Sequence, residues 1–132
     1  MFELHPQLAK DCIVVCDLPL CRVLLANDSQ YPWLILVPMK NGMKEIIDLS
    51  EQEQQLLWQE SAKISRILQS LYSPDKLNVA ALGNMVPQLH MHHVARFTSD
   101  AAWPAPIWGV KPAVAYSEEK IEEIKGLIVA LV

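Results

Sequence analysis

The chain has no long apolar run, no excess of basic residues and no paired-cysteine motif, and each absence closes a class of function. The longest apolar stretches, Trp33–Val37 and Leu127–Val132, hold five and six residues, far short of the roughly 20 that a membrane-spanning helix requires. Eleven lysines and arginines stand against fifteen acids, a formal net charge of −4. That balance gives no broad electrostatic grip on nucleic acid or on an anionic membrane. It leaves room for a small pocket that takes phosphate through hydrogen bonds. The three cysteines, Cys12, Cys16 and Cys21, form no CxxC and are expected as reduced thiols packed like small hydrophobes. Met1-Phe2-Glu3-Leu4-His5-Pro6 lacks the basic-then-apolar order of a secretory leader, so a cytoplasmic protein is expected. No repeat, low-complexity tract or linker interrupts the chain.

What is present has the makeup of one globular domain: 132 residues, 52% apolar and 20% charged. A chain of that length buries about two thirds of the surface its unfolded form exposes. Cys12–Asp17 and Arg22–Ala26 are short β-rich runs, with Leu18-Pro19-Leu20 as the bend between them. Trp33–Val37 reads as a strand buried on both faces. Ser50 and Glu53 form a capping box at the head of a helix whose apolar positions are Leu57, Ile64, Leu68 and Leu71, with Ser61 among them. Pro74 ends that helix near Tyr72. Leu77–Leu82 and Gln88–Phe97 read as strands on either side of a Gly83–Pro87 loop, and Thr98–Pro112 as irregular. Ser117 caps a last helix with Ile121, Ile124, Ile128 and Leu131 on its apolar face; Glu118, Glu119, Glu122 and Glu123 form a solvated side that suits the helix dipole. Strands interrupted by one long helix and closed by another predict an α+β domain with an antiparallel sheet.

The chemistry concentrates in Gln88-Leu89-His90-Met91-His92-His93-Val94-Ala95-Arg96. Side chains alternate along a strand, so Gln88, His90 and His92 share one face, with about 6–7 Å between alternate residues. Leu89, Met91 and His93 share the other, which is expected to be the core side. Two uses of the imidazole row compete. Two rings on one strand face can bind a transition metal, with Cys12, Cys16, Cys21 or an acid completing the set; no CxxC or HExxH motif accompanies them. Alternatively, a neutral imidazole is a good nucleophile near pH 7, and a neighbouring donor to phosphate oxygens lowers the barrier as charge develops.

The run resembles the signature strand of the histidine-triad (HIT) superfamily, His-φ-His-φ-His-φ-φ with φ apolar. Leu77-Asn78-Val79 and Gly83-Asn84 resemble the strand and turn leading into that signature. Asn27, Pro32 and Leu34–Pro38 resemble the nucleotide-contacting Asn and the strand after it. The likeness covers about residues 12–97 of a single domain spanning residues 1–132. It implies a HIT-like fold: a sheet of about five antiparallel strands, one long helix and a C-terminal helix. It also implies a nucleotide hydrolase or transferase acting on dinucleoside polyphosphates, such as diadenosine tetraphosphate, or on nucleoside phosphoramidates. By that resemblance His90 is the nucleophile, attacking the α-phosphorus to give a nucleotidyl-histidine that water then releases. His92 would hydrogen-bond the phosphate, Asn84 would sit near phosphate or leaving group, and Asn27 near the ribose. The carbonyl of Gln88 would hold the other nitrogen of His90. No cofactor and no protein-bound metal is implied, and a homodimer is.

The sequence departs from the family pattern at three places. Gln88 replaces the first histidine; its carbonyl can still orient His90, but its side chain cannot titrate. His93 occupies a position that is usually apolar and is expected as a core or interface histidine. Trp33 stands where many relatives carry Gly-His. The changed triad and Trp33 keep open a protein that binds nucleotides without turning them over, and the imidazole row keeps open a metal protein using His90, His92 and a cysteine. Asn78 is a candidate ligand contact or an edge residue, and Arg96 a phosphate contact or a surface strand end. Trp103 and Trp108 could wall the substrate, meet a partner or cover a sheet edge.

Overall fold

Alternation of apolar residues along short strands decides the layout. The computed structural model describes residues 1–132. In chain order the elements are α1 (Pro6–Asp11), β1 (Cys12–Asp17), β2 (Cys21–Ala26), β3 (Trp33–Pro38), a single 3₁₀ turn (Ile46–Asp48), α2 (Glu51–Tyr72), β4 (Lys76–Ala80), β5 (Met91–Arg96) and α3 (Glu118–Leu131). The strands make one antiparallel sheet in the order β1-β2-β3-β5-β4. This is the α+β fold of the sequence analysis, with five strands, a long helix and a C-terminal helix.

One face of the sheet carries Val23, Leu25, Leu34, Leu36, Met91 and Ala95, and it packs against Leu57, Ile64 and Leu68 of α2 and Ile124 and Ile128 of α3. Helix α2 starts at its expected cap: the Glu53 amide donates to Ser50 Oγ (3.2 Å) and the Ser50 amide to the Glu53 carboxylate (2.8 Å). It ends at Tyr72, where Ser73 turns left-handed (φ 48°) and Pro74 follows. Glu60, buried on α2, accepts the amides of Leu20 (2.9 Å) and Cys21 (2.8 Å), so the helix is tied to the β1–β2 hairpin by a carboxylate that satisfies two buried donors. On α3, Ile124 and Ile128 are buried, while Leu131 is 44% exposed and does not complete the apolar face.

The opposite face is covered by α1 and by the irregular segment 98–116. Leu8 of α1 packs with Leu24, Ala26, Ile35 and Val37; Ala102 and Ile107 pack with Tyr31 and Val94. Arg96 organises that segment. Its guanidinium, 1% exposed, donates to the Asp100 carboxylate (2.8 and 3.1 Å), to Asn78 Oδ1 (2.8 Å) and to the Ala105 carbonyl (2.8 Å). Arg96 is therefore neither a phosphate contact nor a surface strand end; it is a buried charge paired with Asp100 and making four hydrogen bonds, as burial demands.

The ladder differs from expectation around the histidines. Strand β4 stops at Ala80 and β5 begins at Met91, not Gln88. Residues 88–90 leave the ladder because their groups are used elsewhere: the Leu89 amide donates to the Met43 carbonyl (2.9 Å), and the Gln88 carbonyl faces the His90 ring. The alternation of faces nevertheless persists through the break. Leu89 lies in the helix-side core, whereas His90 opens to the other side.

Candidate active site

Hydrogen bonding fixes the proton on each ring of the histidine row. His90 Nδ1 lies 2.6 Å from the Gln88 carbonyl oxygen. A carbonyl only accepts, so Nδ1 carries the hydrogen and Nε2 keeps its lone pair. In His92 the arrangement is inverted. The Trp33 indole Nε1 donates to His92 Nδ1 at 3.0 Å; an indole nitrogen only donates, so Nδ1 is the bare nitrogen and Nε2–H points away from Trp33. The register explains the contact. Trp33 pairs with Val94 and Ile35 with His92, which makes Trp33 and His92 diagonal neighbours on one face, within reach for an aromatic side chain. The two imidazoles are 4.9 Å apart between centroids and nearly perpendicular (74°). Trp108 closes the group edge-on, 5.1 Å from His92 and 6.4 Å from Trp33.

His93 points to the helix side. It is wholly buried, its Nδ1 donating to the Met91 carbonyl (3.1 Å) and its Nε2 accepting from Ser61 Oγ (2.7 Å). It is a satisfied core histidine, and Ser61 occupies its place in the apolar row of α2 for that reason.

Burial keeps all three rings neutral. Desolvation pushes His92 down to about 3, with neighbouring His90 and His93 adding to the effect, and pushes His93 down to about 4. His90 is lowered by burial, opposed by the Gln88 carbonyl and reinforced by nearby His5. An unfolded chain carries these imidazoles at about 6.5. Between that value and the folded ones the unfolded chain holds more protons, so stability must fall as pH drops below about 6.5. Each of His92 and His93 contributes at most about 1.4 kcal/mol per pH unit to the slope. The urea midpoint is expected to be lower at pH 5 than at pH 7.5; an unchanged midpoint would show that the rings charge freely inside the fold.

His90 and His92 line a cleft of about 590 Å³ together with Trp33, Trp108, Asn27 and Asn84. Its walls are largely apolar, with Leu8, Ile35 and Val86 among them and Asp28 among the polar residues. Asn27 is held there by its Oδ1, which accepts the Tyr116 amide (2.9 Å). Asn84 is exposed on the loop above His90. Trp108 lines the cleft and Trp103 does not; Trp103 packs under the Arg96 guanidinium, 5.6 Å from its ring centre.

Two of the expected site residues lie elsewhere. Asn78 is on β4 with its carbonyl oxygen on Arg96, outside the cleft, which is the edge role considered for it. The side chain of Gln88 also turns from the cleft that holds His92. Its Oε1 accepts the His5 amide (2.8 Å) and its Nε2 donates to the Glu3 carbonyl (2.9 Å), clamping the main chain on both sides of Leu4. Gln88 thus grips the N-terminal segment with its side chain and His90 with its backbone. The residues of the metal alternative are not assembled either. Cys12 lines the cleft, but Cys16 and Cys21 pack toward the helix-side core. Burial pushes the thiols up, Cys12 to about 12, and no group of three or more His, Cys, Asp or Glu side chains is placed to hold a metal ion. Sequence reasoning missed Leu8 and Asp28. Helix α1 is only six residues long, too short for a periodic signal; its one cue was Pro6 at the first helical position.

A HIT domain model matches residues 7–99 of the chain. Among solved structures, a histidine triad protein from Bradyrhizobium japonicum is 45% identical with a TM-score of 0.97, covering 99% of this chain and 98% of its own. One from Marinobacter aquaeolei VT8 is 47% identical with a TM-score of 0.95, covering 100% and 99%. A third, from Sinorhizobium meliloti 1021, is 37% identical with a TM-score of 0.96, covering 99% and 97%. No curated protein matches.

Proposed function

Because the chain belongs to the HIT family, we propose that it is a nucleotide hydrolase or transferase in which His90 attacks the α-phosphorus of a nucleotide. The observation that carries this reading is the 2.6 Å contact between His90 Nδ1 and the Gln88 carbonyl. It consumes the ring's hydrogen and leaves Nε2 as an uncharged nucleophile on the cleft side. His92, with Nε2–H outward, supplies a donor to a non-bridging phosphate oxygen as charge builds there. Asn27 and Asn84 offer further polar contacts to the ribose and to the phosphate or leaving group, and Trp33 and Trp108 offer apolar surface to a base. Gln88 stands at the first triad position and acts through its backbone, so the loss of an imidazole there leaves the nucleophile oriented.

In the first step the Nε2–P bond forms as the bond from phosphorus to the leaving group breaks; a phosphate chain departs as an oxyanion with the electron pair, whereas an amine departs neutral after taking one proton from solvent. In the second, water attacks phosphorus, the P–Nε2 bond breaks, His90 regains its lone pair and the proton lost by the water passes to the released monophosphate or to solvent. The substrates are dinucleoside polyphosphates, diadenosine tetraphosphate among them, or nucleoside phosphoramidates. The same reading takes the protein as a cytoplasmic homodimer; no helix is long and apolar enough to cross a membrane. The test is a panel of both substrate kinds with acid-free rapid quench. An acid-labile nucleotide adduct on His90, with release of nucleoside monophosphate, is the expected result. Tight binding of a mononucleotide with no product at high enzyme concentration would favour the non-catalytic alternative.

A further inference from the structure

His90 opens onto two clefts rather than one. The second, of about 460 Å³, runs on the other side of the Gly83-Asn84 loop and is lined by Lys44, Glu45, Ile46 and Pro87. Both clefts share Leu82, Gly83, Asn84 and His90. Their chemistry differs. Trp33 and Trp108 wall the first, whereas no aromatic ring lines the second except that of His90 itself. The Lys44 side chain takes part in none of the ion pairs of the chain, which use Arg22, Lys40, Arg96, Lys120 and Lys125. The main chain there is fixed: the Lys44 and Glu45 amides donate to the Asp48 carboxylate at 3.0 and 2.9 Å. The loop between the clefts stays low because residue 83 is glycine; a Cβ there would meet the Val86 carbonyl oxygen at 3.0 Å and His90 Cε1 at 3.9 Å.

We propose that this second cleft is the subsite for an anionic leaving group, a phosphate chain extending from the reacting phosphorus past Asn84 to Lys44. The inference rests on the reading of His90 as nucleophile. A nucleotide base placed against the two tryptophans leaves the remainder of the substrate to continue beyond His90, and the cleft on that side offers a cation and no aromatic platform. A departing phosphate chain leaves as an oxyanion that needs no proton, and an unpaired ammonium beside it favours the bond breaking. A leaving group as small as ammonia ends at the phosphorus and never enters the second cleft.

The two cases separate experimentally. The ratio of kcat/KM for diadenosine tetraphosphate to that for adenosine 5′-phosphoramidate is measured in wild type, Lys44→Ala and Lys44→Arg. Lys44→Ala is expected to lower the ratio about tenfold, the loss of one charge-assisted contact, and Lys44→Arg to retain it. An unchanged ratio in Lys44→Ala would overturn the subsite. Turnover of neither substrate by wild type would instead remove the nucleophile reading, and titration with inorganic tripolyphosphate then decides the cleft alone. Amide resonances of residues 44–47 shift in wild type and not in Lys44→Ala if the assignment holds; no shift in wild type refutes it.

Discussion

Replacing His90 by alanine is expected to cut turnover of either substrate by at least about 10⁴-fold, because no other side chain in the cleft offers a free imidazole nitrogen in its place. His92 cannot substitute: its free nitrogen carries hydrogen and its bare one is occupied by Trp33. The variant should fold. The His90 side chain makes one hydrogen bond, to the Gln88 carbonyl, and its loss leaves one acceptor to find water, about 1–3 kcal/mol. His90→Asn is the companion, since its amide can donate to the same carbonyl while lacking a nucleophilic nitrogen. Both variants inactive and folded, by near-ultraviolet dichroism and a cooperative urea transition, is the expected pair of results. Near-normal turnover by either would mean that the phosphorus is attacked by something else, such as water.

The second large effect is expected at a residue that need not touch the reacting atoms. Trp33→Phe keeps the apolar wall and removes the indole hydrogen that holds His92 Nδ1 bare. Without it the His92 ring can carry its proton on either nitrogen, and the tautomer presenting Nε2–H to phosphate is diluted. A fall in kcat/KM of about 10- to 100-fold is expected, on the scale of losing one oriented donor. Trp33 is a positioning residue, and merely structural damage would not produce its signature. Nitrogen-15 chemical shifts of His92 should report a bare Nδ1 in the wild type and a mixture in Trp33→Phe. Combined with His92→Ala, the Trp33 substitution should add little, because both remove the same donor. Fully additive losses, or an unchanged tautomer, would sink the argument.

Much of this was legible because it depends on short-range rules. The period of two placed His90 and His92 on one face and His93 on the other, and the Ser50–Glu53 pair marked the start of α2. The ladder break was not legible: Gln88–Phe97 reads as one strand, and only the Leu89 amide's bond to the distant Met43 carbonyl shows why pairing starts at Met91. What escaped was set by contacts distant in sequence. Gln88 reads as a substituted triad member; that its amide clamps residues 3 to 5, more than 80 positions away, has no local cue. Asn78 and Arg96 each looked capable of meeting a ligand, and they satisfy one another instead. The value of Ser61 emerged only with its partner His93, 32 positions on. The segment from Thr98 reads as irregular with two tryptophans able to wall a substrate; that Trp108 and not Trp103 would return to cover His92 had no local cue.

The opposed protons of His90 and His92 give the pair a built-in polarity with a consequence for what can bind between them. Side by side they present one electron pair and one hydrogen, a pattern matched to a phosphoryl group and mismatched to a bare cation, which needs electron pairs from both. For zinc to sit between the two outward nitrogens, His92 would have to move its hydrogen to the inner one and face it against the indole N–H of Trp33, hydrogen against hydrogen. The indole hydrogen of Trp33 therefore disfavours a metal ion held between the two rings.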